Sequence, residues 1–163
     1  MFIWLLLKFL EKIGYTQLNK ELHFMTFPER KNGIENKDGN ELTAEYIIIL
    51  HDDVIEKLGG ERGVRDKSTI DYLIHLLNNR KCDVVKMAAL ALDLITGRGH
   101  PFWDGNKRTG HLIADILLRE EGLHIHTEEE KMTRALLKIA NYECTIEEIE
   151  EWLRRIVRPL QMG

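Results

Sequence analysis

Apolar positions recur at helical spacing through most of the chain beyond residue 41. Tyr46, Ile47, Leu50, Val54 and Leu58 share one stripe, and Thr43 stands where a helix cap belongs. Gly59 and Gly60 end that stripe. Ser68-Thr-Ile-Asp71 resembles a capping box and opens a second helix with Ile70, Leu73, Ile74 and Leu77 facing inward. Val84 to Ile95 is apolar nearly all round, which suits a helix at the middle of a bundle. The next helix is predicted from about Asp104 to Glu121, burying Leu112, Ile113, Ile116 and Leu117, with Gly122 as its stop. Thr127 with Glu130, and Thr145 with Glu148, start two more capped helices. The last carries a seam of Ile149, Trp152, Leu153 and Ile156 that ends before Pro159. Leu123 to His126 is the only short extended piece in this half. Alternating strand and helix units are absent, as is any repeat at a period of roughly 20 to 50 residues, so the expected class is all-α.

The first forty residues read differently. Met1 to Leu10 is apolar except for Lys8, which is too short to span a bilayer. It lacks the basic start and small-residue cleavage site of a signal peptide before Glu11 and Lys12. The expectation is a docked helix, with an interfacial anchor or a partner-binding strip as alternatives. Pro28 to Asn40 is polar, with Asn-Gly and Asp-Gly steps, and reads as a loop between two units. The expected organisation is an N-terminal extension over 1–40, a main domain over 41–158 and a tail over 159–163.

Composition narrows the function classes. The 163 residues include 23 Lys+Arg and 27 Asp+Glu, a net charge of −4, with 44% hydrophobic residues. That is the balance of a globular domain able to hold a core without staples. The negative charge and the lack of a basic helix stripe argue against nucleic acid as a direct partner. Cys82 and Cys144 are isolated, which favours free thiols in a reducing compartment and a cytoplasmic location.

Candidate chemistry concentrates in Arg98-Gly-His-Pro-Phe-Trp-Asp-Gly-Asn-Lys-Arg-Thr-Gly110, between the most apolar helix and the next amphipathic one. Pro101 drives His100 out of helical conformation, and Asp104 or a neighbour can cap the following helix. Free amides and the positive end of the helix dipole gather there, a setting for phosphate that Gly105, Lys107 and Arg108 reinforce. Asp104, Lys107 and His111 share a helix face by spacing. Asp104 in a cationic phosphate pocket suits a carboxylate that holds Mg²⁺, and His100 suits a base that deprotonates an attacking hydroxyl. This constellation points to phosphoryl or nucleotidyl transfer, although no P-loop or protein-kinase catalytic loop is present. Each residue taken singly also has an ordinary reading: Asp104 with Arg108 is a common helix pair, and Gly-Asn is a common turn. His124 and His126 fall on one side of a strand but lack a third metal ligand, and His51 and Asp52 read as packing or hydrogen-bonding groups.

The run His-Pro-Phe-Trp-Asp-Gly-Asn-Lys-Arg at 100–108 resembles the signature loop of the Fic superfamily, and more narrowly its death-on-curing (Doc) toxin branch. Ile49-Leu-His-Asp52, Gly59-Gly60, Gly63, Arg65-Asp66 and Asn106-Lys-Arg-Thr109 are similar to that branch in order and spacing, across roughly residues 41 to 158. The resemblance implies a compact Fic-type helical bundle that uses ATP and Mg²⁺ to modify protein hydroxyls. It implies His100 as general base and Asp104 as the Mg²⁺ ligand. Gly105, Asn106 and neighbouring amides become the phosphate cradle, with Lys107 and Arg108 as the cations on the phosphates and Arg98 as a further phosphate contact. Gly59, Gly60, Gly63, Arg65 and Asp66 become a flap that aligns the target.

Two departures from the AMP-transferring pattern select among reactions. Lys107 replaces a glycine, and His111 replaces an arginine. The Doc branch shares the lysine, and its members are toxins that place the γ-phosphate on translation elongation factor Tu. The expectation is therefore a Doc-type protein kinase, with AMP transfer or a non-enzymatic nucleotide-binding module as alternatives. No Ser or Thr begins the Ser/Thr-x-x-x-Glu-Gly/Asn run of self-restraining Fic enzymes, so an antitoxin protein acting in trans is expected.

Overall fold

A computed structural model of the chain describes residues 42–79 and 82–161, all within one unit, Leu42–Gly163. The expectations for Met1 to Leu10 and for the Pro28 to Asn40 loop lie outside the described residues. Thr43 caps α1 (Ala44–Leu58), its Oγ1 accepting from the Tyr46 amide at 3.2 Å. The buried face of α1 is Ile47, Leu50, His51, Val54 and Ile55, and Gly59 closes it by donating to the Ile55 carbonyl.

Helix α2 (Lys67–Asn79) starts one residue before the predicted box. Asp66 outcompetes Ser68 as the cap, because its carboxylate accepts from the Ser68 amide and hydroxyl and from the Thr69 hydroxyl. Asp71 pairs instead with Lys67. Asp83 caps α3 (Val84–Ala91), which passes without a break into a π-helical turn over Leu92–Gly97. Ala88, Ala89, Ala91, Leu92 and Ile95 are fully buried there, so this rod is the centre of the bundle as its all-round apolarity predicts.

Helix α4 (Asn106–Glu120) is shorter than expected and its buried face is rotated. Ile113, Ala114, Leu117 and Leu118 are buried, while Leu112 and Ile116 are half-exposed. Beyond Gly122, β1 (Leu123–Ile125) leads to α5 (Glu129–Ala140) and α6 (Ile146–Ile156). Thr145 and Glu148 form the predicted capping box of α6. Thr127 does not cap α5: the ladder continues through the His126 amide to the Ile156 carbonyl, which delays the helix start so that Glu128 takes the cap position.

A second strand, β2 (Val157–Pro159), was not anticipated. It pairs antiparallel with β1 in the register Leu123 to Pro159, His124 to Arg158 and Ile125 to Val157. Three residues ending in proline carry no period-two signal, so pairing and not propensity makes this strand. Under the ribbon, Val85, Leu92, Leu118, Ile125, Met132, Ile149 and Leu153 make one apolar cluster. Burying each such large side chain stabilises by about 1.5–3 kcal/mol.

Candidate active site

The π-helical turn delivers the chain to the loop that carries the candidate chemistry. A π turn inserts an extra residue into the helical ladder and often marks a functional site. Thr96, on this turn, donates to the Asn106 carbonyl at 3.1 Å and ties it to the start of α4. Asp93, also on it, is buried and accepts from both Arg98 Nε and Arg98 Nη2. A buried carboxylate needs such a partner, so Arg98 first neutralises Asp93 instead of standing free for phosphate. Its side chain is nonetheless 65% exposed.

His100 lies outside right-handed helical space, as Pro101 predicts, at the unusual φ of 46°. Its Nδ1 lies 3.3 Å from the Gly97 carbonyl. A carbonyl only accepts, so Nδ1 carries the hydrogen of this contact and the Nε2 lone pair is left for a substrate proton. The strained backbone is held from outside. Arg65 donates to the His100 carbonyl from Nε at 3.0 Å and from Nη2 at 2.6 Å, and to the Gly99 carbonyl at 3.3 Å. The Arg65 and Asp66 amides both donate to the Pro101 carbonyl, Trp103 donates to Gly63, and Val64 bridges Phe102. The 59–66 segment is thus fastened to the loop along its length.

Asn106 fastens it from inside. Its buried amide accepts from the Phe102 N–H at 3.0 Å and donates to the Phe102 carbonyl at 2.8 Å. Both polar ends are consumed, which leaves only its backbone amide, at the first turn of α4, to face an anion.

Asp104 sits at the rim with about half of its side chain exposed. It accepts from the Gly105 amide at 2.6 Å and the Glu61 amide at 3.2 Å, and Arg108 lies 3.7 Å away. These amides, with the charges of Arg108 and Lys107, hold its carboxyl below the usual carboxylate range and so ionised. An ionised, exposed carboxylate beside two cations and a helix N-terminus fits one protein ligand to Mg²⁺, with phosphate oxygens supplying others. Gly60 permits the close approach: at φ 122° a Cβ there would stand 2.5 Å from Asp104 Oδ2. Arg108 also donates to the Gly59 carbonyl at 2.9 Å, so the flap base touches the candidate metal ligand and a candidate phosphate cation.

His100, Asp104, Gly105, Asn106, Lys107, Arg108 and the 59–66 segment therefore meet at one end of the bundle. His111 does not join them; the charges acting on it are Asp115 and Arg119, and burial pushes its pKa down. The face expected for Asp104, Lys107 and His111 loses Asp104, because Gly105 and not Asp104 occupies the α4 cap, while Lys107 and His111 stay four apart within the helix. His124 and His126 do point together, with ring centroids 5.7 Å apart, but among the described residues no three His, Cys, Asp or Glu side chains gather for a metal. A separate groove of about 600 Å³ between α5 and α6 is floored by Ile139, Ile149 and Trp152 and shares no residue with the loop or flap. Sequence reasoning missed Asp93 and the 59% exposed Trp103, while the packing and hydrogen-bonding reading of His51 holds, since the ring is buried against Phe102 and bonds to the Asp104 carbonyl. His51 had a signal, since it falls on the buried stripe with Ile47 and Val54.

Residues 41–118 match the model of the Fic/DOC family. This stretch belongs to the Fic/DOC family. The chain is 29% identical over 120 residues to Protein kinase doc of Escherichia phage P1, covering 71% of this chain and 94% of the relative. Its fold is similar to the N-terminal Fic domain of a VirB-translocated Bep effector protein from Bartonella quintana. That match has a TM-score of 0.55 at 16% identity and covers 94% of this chain and 84% of the other. BepC from Bartonella tribocorum, solved with bound AMPPNP, is similar at a TM-score of 0.52 and 16% identity, covering 94% and 88%. The all-α Fic expectation holds: the chain takes the Fic fold. Among the described residues no helix is long and apolar enough to cross a membrane.

Proposed function

We propose that this Fic/DOC protein is an ATP-dependent protein kinase of Doc type that moves the γ-phosphate of ATP to a hydroxyl of a protein target. The observation that carries the reading is His100, whose Nδ1 faces the Gly97 carbonyl and whose Nε2 is left as a base beside an ionised Asp104 and a cationic helix start. In the proposed step His100 Nε2 takes the hydroxyl proton. The oxygen bonds to the γ-phosphorus, the bond from that phosphorus to the β–γ bridging oxygen breaks, and ADP leaves. Lys107, Arg108 and the first amides of α4 stabilise the transferred charge. Asp104 would hold Mg²⁺, which when bound neutralises charge on the phosphate oxygens. Lys107 at the glycine position and the likeness to Protein kinase doc support phosphoryl over AMP transfer. The proposed target is translation elongation factor Tu or its counterpart, and the proposed inhibitor an antitoxin protein in trans, both taken from the resemblance of the 100–108 loop to the Doc branch.

The test is mass spectrometry of the elongation factor after incubation with Mg-ATP, beside a His100→Ala control. A phosphate-sized increment that falls by about 10²–10⁴ in rate in the variant is expected, the usual loss for a general base. An AMP-sized increment would reassign the reaction to AMP transfer, and an unmodified factor would remove it as the target.

A further inference from the structure

His51 lies on α1, fully buried, 53 residues before the carbonyl it reaches. Its Nε2 is 2.8 Å from the Asp104 carbonyl oxygen. Because that oxygen only accepts, Nε2 is the donor. The imidazole also stacks on Phe102, with centroids 3.7 Å apart and planes 2° from parallel, and its Nδ1 stands 3.4 Å from the Asp52 carboxylate.

The Asp104–Gly105 peptide is the one whose orientation matters most at an anion site. A trans peptide is planar, so its C=O and N–H point in opposite directions. Here the C=O points inward to His51 and the N–H points outward to the Asp104 carboxylate, 2.6 Å away. Gly105, at φ 78° and ψ 11°, offers no Cβ to resist rotation of that peptide. A flipped peptide would bury an unpaired N–H and turn a carbonyl oxygen toward incoming phosphate, reversing the local field.

We propose that His51 is a positioning residue that locks the Asp104–Gly105 peptide with its N–H outward, and so presets both the anion cradle and the Asp104 carboxylate. The consequence for nucleotide rests on the phosphoryl-transfer reading, whereas the lock itself does not.

The experiment compares His51→Gln and His51→Asn in the full chain. Both remove the ring, but only glutamine is long enough to place a donor where Nε2 stands. In ¹⁵N spectra of the protein without ligand, the Gly105 amide of the Gln variant should stay at its wild-type position. That of the Asn variant should shift or split. The Kd for Mg-AMPPNP by calorimetry should weaken roughly tenfold in Asn and less than about threefold in Gln, the scale of one hydrogen bond. Should the Asn variant fail to fold, His51→Phe keeps a ring over Phe102 without a donor and should show the same displaced amide. Equal Gly105 positions in donor and donor-free variants would overturn the proposal. A wild-type protein that binds no Mg-AMPPNP would defeat the phosphoryl-transfer reading, and the Gly105 amide would still decide the role of His51.

Discussion

The loop end and the ribbon end of this domain are built on opposite principles. At the ribbon end, α3, α5, α6 and β1 meet through Ala89, Ile125, Met132, Ile149 and Leu153, side chains with no polar atoms. Arg154 with Asp83 decorates the surface there, and a pair this exposed contributes little, while the Lys86–Glu150 pair is partly covered. At the loop end, Phe102 is the fully buried anchor of a segment otherwise held by directed hydrogen bonds from Arg65, Asn106 and the 63–66 backbone. Apolar packing tolerates rearrangement as long as volume is kept, whereas a hydrogen bond fixes a direction and its loss orphans a buried group. The ribbon end therefore supplies stability, and the loop end uses some of that stability to hold His100 at a positive φ.

Paired substitutions can break this comparison. Leu153→Ala should destabilise most, by about 2–5 kcal/mol in denaturant unfolding, from lost burial and the cavity left behind. Its rate of transfer per folded molecule should stay at the wild-type value. Asn106→Ala should cost less stability, roughly 2–3 kcal/mol for two buried hydrogen bonds and the Phe102 groups they leave unpaired. Its transfer rate should nonetheless collapse, because the loop carrying His100 loses its inner brace. A Leu153 variant with impaired turnover per folded molecule, or an Asn106 variant with full turnover, would erase the division between the two ends.

The smallest effect concerns pH. Burial pushes His111 down from its ordinary value, more than the Asp115 carboxylate offsets, with Arg119 acting in the same direction as burial. Above about pH 6.5 both folded and unfolded states leave it neutral, so it adds no slope. Below that value the unfolded chain takes up the proton first, and stability is lost as pH falls towards the folded pKa. His124, also pushed down by burial, adds to the same slope. His111→Gln should therefore show a smaller drop in Tm than wild type between about pH 7.5 and about pH 5.5. An unchanged drop would show that His111 is not held neutral by the fold.

Much of the fold was legible because helices advertise themselves locally. Thr43, the Thr145–Glu148 box and the all-apolar 84–95 run behaved as their neighbours in sequence require. The errors have two causes. Asp66 displacing Ser68 as a cap, the rotated face of α4, the delayed start of α5 and the strand at Val157–Pro159 all depend on partners distant in sequence or on competition between adjacent caps. The π turn over Leu92–Gly97 is equally invisible to an apolar pattern, since Leu92, Ile95 and Thr96 would be buried in either kind of helix.

The site divides in the same way. Sequence by itself determined the bundle class and the spacing His100, Asp104, Asn106, Lys107 and Arg108, because a loop running into a helix N-terminus orders these groups through local geometry alone. Only the tertiary structure decided what each group is free to do. It committed Arg98 to Asp93, turned the Asn106 side chain inward to Phe102 and set Arg65 on the His100 carbonyl. It also brought His51 from another helix onto the Asp104 peptide. The Arg65 and His51 bonds join residues 35 and 53 positions apart and depend on where packed helices place their ends. The nearer Arg98–Asp93 and Asn106–Phe102 bonds depend on the π turn and the path of the loop, neither of which the sequence pattern shows.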